Sequence, residues 1–262
     1  MELALTGKTA LILAASKGLG KAIATGLANE GADIVIGSRN KDALEEAAKE
    51  IQSTAKGQVM AVPVDVTGSK AMENIIEKTA NRFGKIDILV NNAGGPPFGK
   101  FESFDDHAWQ SAFDLNLLSF ARSSRMVLPH MRKAGSGRII NIVSLSVKTF
   151  LEGSVLSTSL RLGVVGMAKM LANELGPDNI TVNNVAPGLI LTDRLRETLF
   201  RYKAPGLDEQ SIIAERTRDV PLRRIGRPEE VAALVIFLAS VQAGYITGTT
   251  IQVDGGAVKA TF

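Results

Sequence analysis

Gly18 and Gly20 stand in a short turn between an apolar run, residues 9–14, and a stretch with helical spacing that ends near Gly31. The apolar run is unbroken, which is typical of a strand buried on both faces of a parallel sheet. A strand that continues through such a turn into a helix directs free backbone N–H groups and the positive end of the helix dipole at one point. The pattern predicts a pyrophosphate site. The alternative is that the two glycines only allow the helix to pack closely on its strand.

Two basic side chains could bind a further phosphate. In dinucleotide-binding folds, the end of the second strand holds either an acid for the ribose 2′-hydroxyl or a base for a 2′-phosphate. The only acid of the second apolar run, Asp33, lies at the wrong end, whereas Arg39 follows the right end and Lys17 in the first turn could join it. A guanidinium binds phosphate through charge-assisted hydrogen bonds. NADP(H) is therefore favoured over NAD(H), with ordinary solvated side chains as the alternative.

A regular alternation of strands and helices positions these residues. The strands are predicted at residues 9–14, 34–36, 59–64, 86–90, 139–143 and 249–253, and a further strand, the sixth in chain order, begins near Ile180 and precedes Pro187 and Gly188. Pro63 interrupts the third run, so this strand is expected at the sheet edge. The alternation predicts an α/β fold in which residues 1–262 form a single doubly wound Rossmann-type domain, with about seven parallel strands and helices on both faces.

The composition limits the classes of function. The 262 residues are 45% hydrophobic and 22% charged, with a net charge of +3, so nucleic-acid binding is not indicated. No apolar run is expected to span a membrane, residues 1–7 lack the layout of a signal peptide, and a cytoplasmic location is expected. The absence of cysteine excludes thiolate sites, and two separated histidines, His107 and His130, give no metal site.

The segment from Asn91 to Gly94 reads N-N-A-G and follows the fourth predicted strand. In register with the glycine turn, it resembles the short-chain dehydrogenase/reductase family. The resemblance covers the whole chain, through Pro187 and Gly188 after the sixth strand. One departure lies in the turn, where Ala14 replaces the first glycine of the family's T-G-x-x-x-G-x-G pattern. A methyl group is tolerable there if the backbone angle φ is negative.

The resemblance implies a nicotinamide cofactor over the carboxyl ends of the strands. After the third strand, Asp65 and Val66 match the family's Asp-Val pair at the adenine, and a role before the next helix is a compatible alternative. The cofactor contacts that follow from the motifs are Ala14, Ser16, Lys17, Gly18, Leu19, Gly20, Arg39, Asp65, Val66, Asn91, Ala93, Gly94, Arg161, Pro187, Gly188 and Leu189.

Four residues of the family act on a carbonyl or alcohol beside the nicotinamide. An Asn in a long helix supports a water relay, a Ser polarises the substrate oxygen, a Tyr transfers the proton, and a Lys lowers the Tyr pKa and holds the ribose. Asn116, in the helix predicted at 105–131, and Ser144 match the first two. Ser157 and Arg161 stand where the Tyr and Lys are expected. A serine hydroxyl is a much weaker acid than a phenol, and arginine keeps its proton, so Arg161 is better interpreted as a cofactor contact.

The proton donor therefore stays open at this point. Besides Ser144 and Ser157, the candidates are Ser146, Ser159, Lys148 and Tyr202. Tyr202 lies in residues 189–227, which form a substrate lid in the family. This segment has nine basic and six acidic residues, which would attract an anionic substrate such as an acyl group on a phosphopantetheine carrier. A merely solvated helical lid is the alternative.

Two functions fit this pattern. The first is an NADP(H)-dependent oxidoreductase that acts on a small carbonyl or alcohol, of the carbonyl reductase or alcohol dehydrogenase type, with 3-oxoacyl reductases as one form of it. The second is an NADP(H)-binding sensor or scaffold protein without turnover. The presence of Asn116 and Ser144 favours the enzyme. In many relatives the helices corresponding to 105–131 and 157–175 form the subunit interface, so a homotetramer is expected.

Overall fold

The computed structural model describes residues 2–201 and 208–260. Within them, seven strands form one parallel sheet in the order β3-β2-β1-β4-β5-β6-β7. The strands are β1 (Thr9–Leu13), β2 (Asp33–Ser38), β3 (Val59–Pro63), β4 (Ile88–Asn91), β5 (Gly137–Ile142), β6 (Ile180–Pro187) and β7 (Thr250–Val253). The predicted sheet is confirmed.

Helices cover both faces of the sheet. They are α1 (Gly18–Asn29), α2 (Lys41–Gln52), α3 (Ser69–Phe83), α4 (Asp106–Phe113), α5 (Ser119–Ala134), α6 (Val155–Leu175), α7 (Asp193–Arg201), α8 (Glu209–Arg216) and α9 (Pro228–Ala239). Apolar side chains of α1, α2 and α9 form the core on one face. Those of α3, α5 and α6 form the core on the other face, as the doubly wound fold predicts.

The strand order reverses beside β1. The chain runs outward through β2 to β3 and then returns to β4, so that β1 pairs with both β2 and β4. Ligands of such folds bind at this reversal, outside the carboxyl ends of the strands. Strand β3 lies at the edge, and its Pro63 pairs with Ser38, which confirms the position predicted from that proline.

The helix predicted at 105–131 is not continuous. Asp114–Leu118 forms a wider π-helical turn between α4 and α5. Such turns insert one residue into the helical hydrogen-bonding pattern and are frequent at functional sites. Asn116, the predicted catalytic residue of this helix, lies at the centre of the turn and is fully buried.

Helix α6 corrects the expectation that no segment could span a membrane. By length and composition alone, Val155–Asp178 is apolar enough, with a mean hydropathy of 1.3. Its inner face nevertheless packs into the core of the sheet through Val164, Ala168 and Leu175. The apolar character of this inner face is therefore explained by its place in the fold.

Buried amide side chains connect four neighbouring strands. Asn91 Nδ2 donates to Asn141 Oδ1 at 2.9 Å, and Asn141 Nδ2 donates to Asn184 Oδ1 at 2.9 Å. Asn184 Nδ2 donates in turn to Thr250 Oγ1 at 3.0 Å. Each pair is directly opposite in the sheet register. This row of amides fixes β4, β5, β6 and β7 relative to one another.

Candidate active site

The glycine turn brings the N-terminus of α1 close to β1. Gly18 has a φ of +57°, and a Cβ on Gly20 would lie 2.4 Å from the carbonyl oxygen of Ala14. The N-cap residue, Lys17, makes no side-chain capping hydrogen bond, and the first turn of α1 has no acidic residue. Its backbone N–H groups can therefore bind an anion. Close packing and anion binding, the two interpretations of these glycines, are compatible here.

Ala14 corrects one expectation about this turn. Its φ is +49°, in the left-handed region, and not the negative value that a methyl group would prefer. The Ala14 carbonyl oxygen accepts a hydrogen bond from Asn92 Nδ2 at 3.1 Å. This hydrogen bond connects the turn to the end of β4. No site role was predicted for Asn92.

The residues of the predicted site for a further phosphate lie after the ends of β1 and β2. Lys17 and Arg39 are both exposed, and Ser16 Oγ lies 3.0 Å from Ser38 Oγ, one residue before Arg39. Ser38 thereby joins the predicted set.

Asp65 lies nearby, and its Oδ1 accepts hydrogen bonds from Thr67 N at 3.0 Å and Thr67 Oγ1 at 2.7 Å. The backbone bond is the main cause of a lowered pKa of Asp65, and the charge of Arg39 contributes. Helix α3 is capped by Gly68. Asp65 thus holds the turn before that helix. Val66 is 8% exposed and packs in the core.

The segment after β4 divides into buried and accessible residues. The buried Asn91 side chain donates to Asn141 and Ser124 and accepts from Ser123. A cofactor contact of Asn91 would therefore involve its backbone. Ala93 is 9% exposed, whereas Gly94 is exposed with no atom near the position of a Cβ.

The segment after β6 contacts both β7 and the glycine turn. Pro187 ends β6, and Gly188 N donates to Val253 O at 2.9 Å. A Cβ on Gly188 would lie 2.8 Å from the Cα of Asp254. Leu189 is half-buried. Three residues later, Thr192 Cγ2 lies 3.4 Å from the position of a Cβ on Gly18. The start of the expected lid therefore lies against the turn at Thr192, a residue for which no role was predicted.

Asn116 and Ser144 lie at the same edge of the sheet. Asn116 Nδ2 donates to Gly94 O at 2.8 Å, and its buried Oδ1 has no hydrogen-bond partner among the described residues. The half-buried Ser144 accepts from Ser146 N at 3.2 Å. Gly94 and Ser144 each lie three residues beyond the paired Asn91 and Asn141. The structure therefore brings these two predicted catalytic residues to the neighbouring ends of β4 and β5.

Ser157 and Arg161 lie one turn apart on α6. Ser157 is half-buried, and Arg161 is only 5% exposed. Arg161 Nη1 donates to Ile142 O at 2.7 Å, two residues before Ser144. Burial lowers the pKa of Arg161 to about 10, and the positive charge of Arg194 contributes. The charge of Arg194 therefore acts on Arg161. No individual role was predicted for Arg194.

The other candidate proton donors differ in accessibility. Ser146 is buried with an unpartnered Oγ, Lys148 is half-buried and Ser159 is exposed. Tyr202 lies outside the described residues. Among the residues that are described, no three His, Asp or Glu side chains are grouped as a metal site would require.

The donor groups at the reversal of strand order fit a phosphorylated dinucleotide. The N-terminus of α1 provides backbone N–H groups, and Lys17 and Arg39 provide exposed positive charge beside it. Open space at Gly94 allows close approach of a ligand toward Asn116 and Ser144. The arrangement can therefore hold a nucleotide at one end and present a hydroxyl group at the other.

Comparison with known proteins gave matches over nearly the whole chain. A family model described as enoyl-(acyl carrier protein) reductase matches residues 13–258. The 3-oxoacyl-[acyl-carrier-protein] reductase FabG of Thermotoga maritima is 35% identical over 97% of this chain and 99% of its own length. The 7alpha-hydroxysteroid dehydrogenase of Escherichia coli K12 is 34% identical over 98% and 97%, respectively. The structure of Gluconobacter frateurii L-sorbose reductase complexed with NADPH and L-sorbose has a TM-score of 0.96 at 35% identity, covering 99% of this chain and 100% of that chain.

Proposed function

Because the chain belongs to the short-chain dehydrogenase/reductase family, we propose that it is an NADP(H)-dependent oxidoreductase that interconverts a carbonyl compound and an alcohol. The relatives are oxidoreductases, and the L-sorbose reductase structure contains NADPH. One observation carries the proposal. Asn116 and Ser144 lie at the neighbouring ends of β4 and β5, next to the reversal of strand order.

The choice of NADP(H) over NAD(H) rests on charge at the end of β2. Arg39 and Lys17 are exposed there, and the nearby acid, Asp65, is engaged by Thr67. A phosphate on the adenosine ribose would add charge-assisted hydrogen bonds that NAD(H) does not offer.

The reacting end has a variant set of residues in this proposal. We place Ser157 and Arg161 at the positions of the family's Tyr and Lys, since they lie one turn apart on α6 beside Ser144. Bound nucleotide supplies the hydride. Ser144 Oγ, which accepts from Ser146 N, can donate its proton in a hydrogen bond to the substrate oxygen. Water provides the proton, and the buried Oδ1 of Asn116 orients that water.

The segment 189–227 is proposed to cover the substrate. Its start contacts the glycine turn at Thr192, and Arg194 binds the loop after β4. Nine basic against six acidic residues in this segment favour an anionic substrate. An acyl group on a phosphopantetheine carrier is one candidate of this type.

A homotetramer is proposed from the outer face of α6. Leu162 and Met170 are 46% and 61% exposed, and Gly166 between them faces open space. The three residues are four apart and lie on one stripe, which a second copy of the chain could bury. Light scattering should give four times the chain mass of 27.8 kDa. Met170→Glu should reduce it, whereas Lys49→Glu on the polar face of α2 should not. A single-chain mass for the unmodified protein would contradict the proposal.

The cytoplasmic location stays a prediction.

Hydride transfer is the direct test of the enzyme. The purified chain is incubated with deuterium-labelled NADPH and a panel of ketones, enones and oxoacyl thioesters, and the products are analysed by mass spectrometry. We expect deuterium in the alcohol product of at least one substrate. NADPH binding without transfer to any substrate would instead support a sensor or scaffold protein, and absence of nucleotide binding would contradict both functions.

A further inference from the structure

Arg161 is a buried cation with few partners. It is 5% exposed, and Nη1 donates to Ile142 O at 2.7 Å. Its Nε is buried with no hydrogen-bond partner in the described part of the chain, where no carboxylate forms a salt bridge with it either. Burial of an unpaired charge is unfavourable. Among the described residues no acid completes its environment, so this group could bind an anion.

Arg194 faces the same region from the lid. It lies in the first turn of α7, where Nη1 donates to Gly95 O at 2.8 Å and Nη2 to Pro96 O at 2.9 Å. A Cβ on Gly95 would lie 2.9 to 3.0 Å from both nitrogens and the central carbon of the guanidinium. The guanidinium therefore lies flat on the backbone of Gly95, next to the residue that Asn116 contacts.

The charges of these two groups reinforce each other. A pKa of about 10 leaves Arg161 charged at neutral pH, and Arg194 is close enough to contribute to lowering it. Glu197 on α7 is the acid that acts on Arg194 and offsets part of its charge. The charge of Arg161, which has no acidic partner among the described residues, lies between α6 and the lid, and an anion there would stabilise it.

This positive charge lies beside the proposed reacting group. Arg161 is fixed to β5 two residues before Ser144, and Arg194 is fixed to the loop that carries Gly94 and contacts Asn116. An anionic group held here would be only a few bonds from a carbonyl that accepts a hydrogen bond from Ser144. The charge therefore acts on the substrate near its reacting carbon.

We propose that Arg161 and Arg194 bind the carboxylate of the substrate, which makes the substrate an oxo acid and the product a hydroxy acid. This inference rests on the proposed oxidoreductase function. A planar carboxylate accepts parallel hydrogen bonds from guanidinium groups, which neither a neutral ketone nor an ester can replace. In the reaction the carbonyl carbon gains a hydride and its oxygen gains a solvent proton, while the carboxylate is unchanged.

Binding without turnover tests the site. Calorimetry on the protein saturated with NADP⁺ compares acetoacetate with methyl acetoacetate, and pyruvate with methyl pyruvate. We expect one acid to bind at least about tenfold more tightly than its ester, as removal of one charged hydrogen-bonding group predicts. Equal affinities within both pairs would overturn the anion site alone. Failure of NADP⁺ itself to bind would overturn the proposed function.

Variants assign the effect to these residues. Arg194→Gln should raise KM for the preferred acid about 10- to 100-fold, with KM for its ester and the affinity for NADP⁺ changed less than twofold. Arg196→Gln, which removes an exposed arginine of the same helix, is the control. Arg161→Gln should also raise KM for the acid, and because Arg161 is a proposed cofactor contact as well, its test is the ratio of KM for the acid to KM for the ester at saturating NADPH. Arg161→Lys should restore part of the acid affinity. If Arg161 variants do not fold, the Arg194 comparison decides.

Two results would reassign the site. A loss of NADP⁺ affinity in Arg194→Gln with unchanged acid affinity would show that the guanidinium groups bind the cofactor. Stronger competition by inorganic phosphate than by acetate would indicate a phosphorylated substrate. Either outcome would overturn the carboxylate assignment.

Discussion

The crevice at the carboxyl ends of the strands holds positive charge differently at its two ends. At the proposed nucleotide end, Lys17 and Arg39 are exposed beside the N-terminus of α1. At the proposed substrate end, Arg161 is buried and donates to the end of β5. Exposed cations stay hydrated and cost the fold little, whereas a buried cation without an acid destabilises it. Substitutions at the nucleotide end should therefore change the stability of the fold little. The substrate end instead carries a buried positive charge, which favours anionic ligands.

The largest effect is expected at Ser144, which belongs to the substrate end alone. Ser144→Ala removes the hydroxyl that is proposed to donate to the substrate oxygen, so kcat should fall about 10²- to 10³-fold. The affinity for NADP⁺, measured by calorimetry, should not change. Ser53→Ala, at the exposed end of α2, is the control. A kcat within twofold of the unmodified protein would remove Ser144 from the reaction.

Arg39 tests the nucleotide end. Arg39→Asp replaces the proposed phosphate contact by an acid that repels it, so the Kd for NADPH should rise about 10- to 100-fold while NADH binding stays or improves. Fluorescence titration with both nucleotides measures the ratio, and Lys49→Asp on α2 is the matched control. Parallel losses for NADPH and NADH would mean that Arg39 does not recognise the additional phosphate.

Introducing the family's Tyr and Lys at the positions proposed for them should change the preference of the substrate end. The double change Ser157→Tyr with Arg161→Lys supplies a phenol as proton donor and should raise kcat/KM for simple ketones about tenfold. The same change should lower kcat/KM for the preferred oxo acid. Both values come from NADPH consumption. No gain with ketones would show that access to the pocket also differs from the family.

The free energy of unfolding should show how far the buried charge of Arg161 destabilises the folded state. Arg161→Met removes the charge, so the free energy of unfolding without ligands should rise by roughly 1–2 kcal/mol. Because burial lowers the pKa of Arg161 to about 10, below its ordinary value, the folded state loses this proton at a lower pH than the unfolded state. The penalty is therefore full below pH 10 and declines as the pH rises above it. Urea unfolding at pH 8 and pH 10.5 should show a smaller gain at the higher pH.

Arg125→Met, an exposed change on α5, serves as the control for this comparison. A loss of stability in Arg161→Met would indicate that the cation is compensated within the fold. In that case the contrast between the two ends of the crevice would not hold.

The smallest effect is expected at Ala14. Ala14→Gly relieves the left-handed backbone conformation, although glycine also gains freedom in the unfolded chain. The free energy of unfolding should rise by about 0.5 kcal/mol, and the affinity for NADP⁺ should rise slightly as the methyl group is removed. Thermal unfolding and calorimetry measure the two effects. A decrease in stability would show that the turn does not strain Ala14.

Local patterns predicted the elements well, since they depend on neighbouring residues. The apolar runs predicted the strands, Pro63 predicted the edge position of β3, and Gly18 and Gly20 predicted the turn. The contact of Arg194 with Gly95 joins residues 99 apart and left no periodic signal in the sequence. The positive φ of Ala14 was also missed, because alanine ordinarily avoids that conformation. The features without a prediction were therefore a contact between distant residues and a backbone angle that is unusual for its residue type.

The row of side-chain amides across β4, β5, β6 and β7 limits how a new specificity could arise. Sliding β4, β5 or β6 by a single residue would turn its asparagine to the opposite face and leave buried amides unpaired, at about 1–3 kcal/mol for each group. A change of specificity is therefore expected in the loops beyond the strands, which can lengthen or change charge while the underlying frame keeps its spacing.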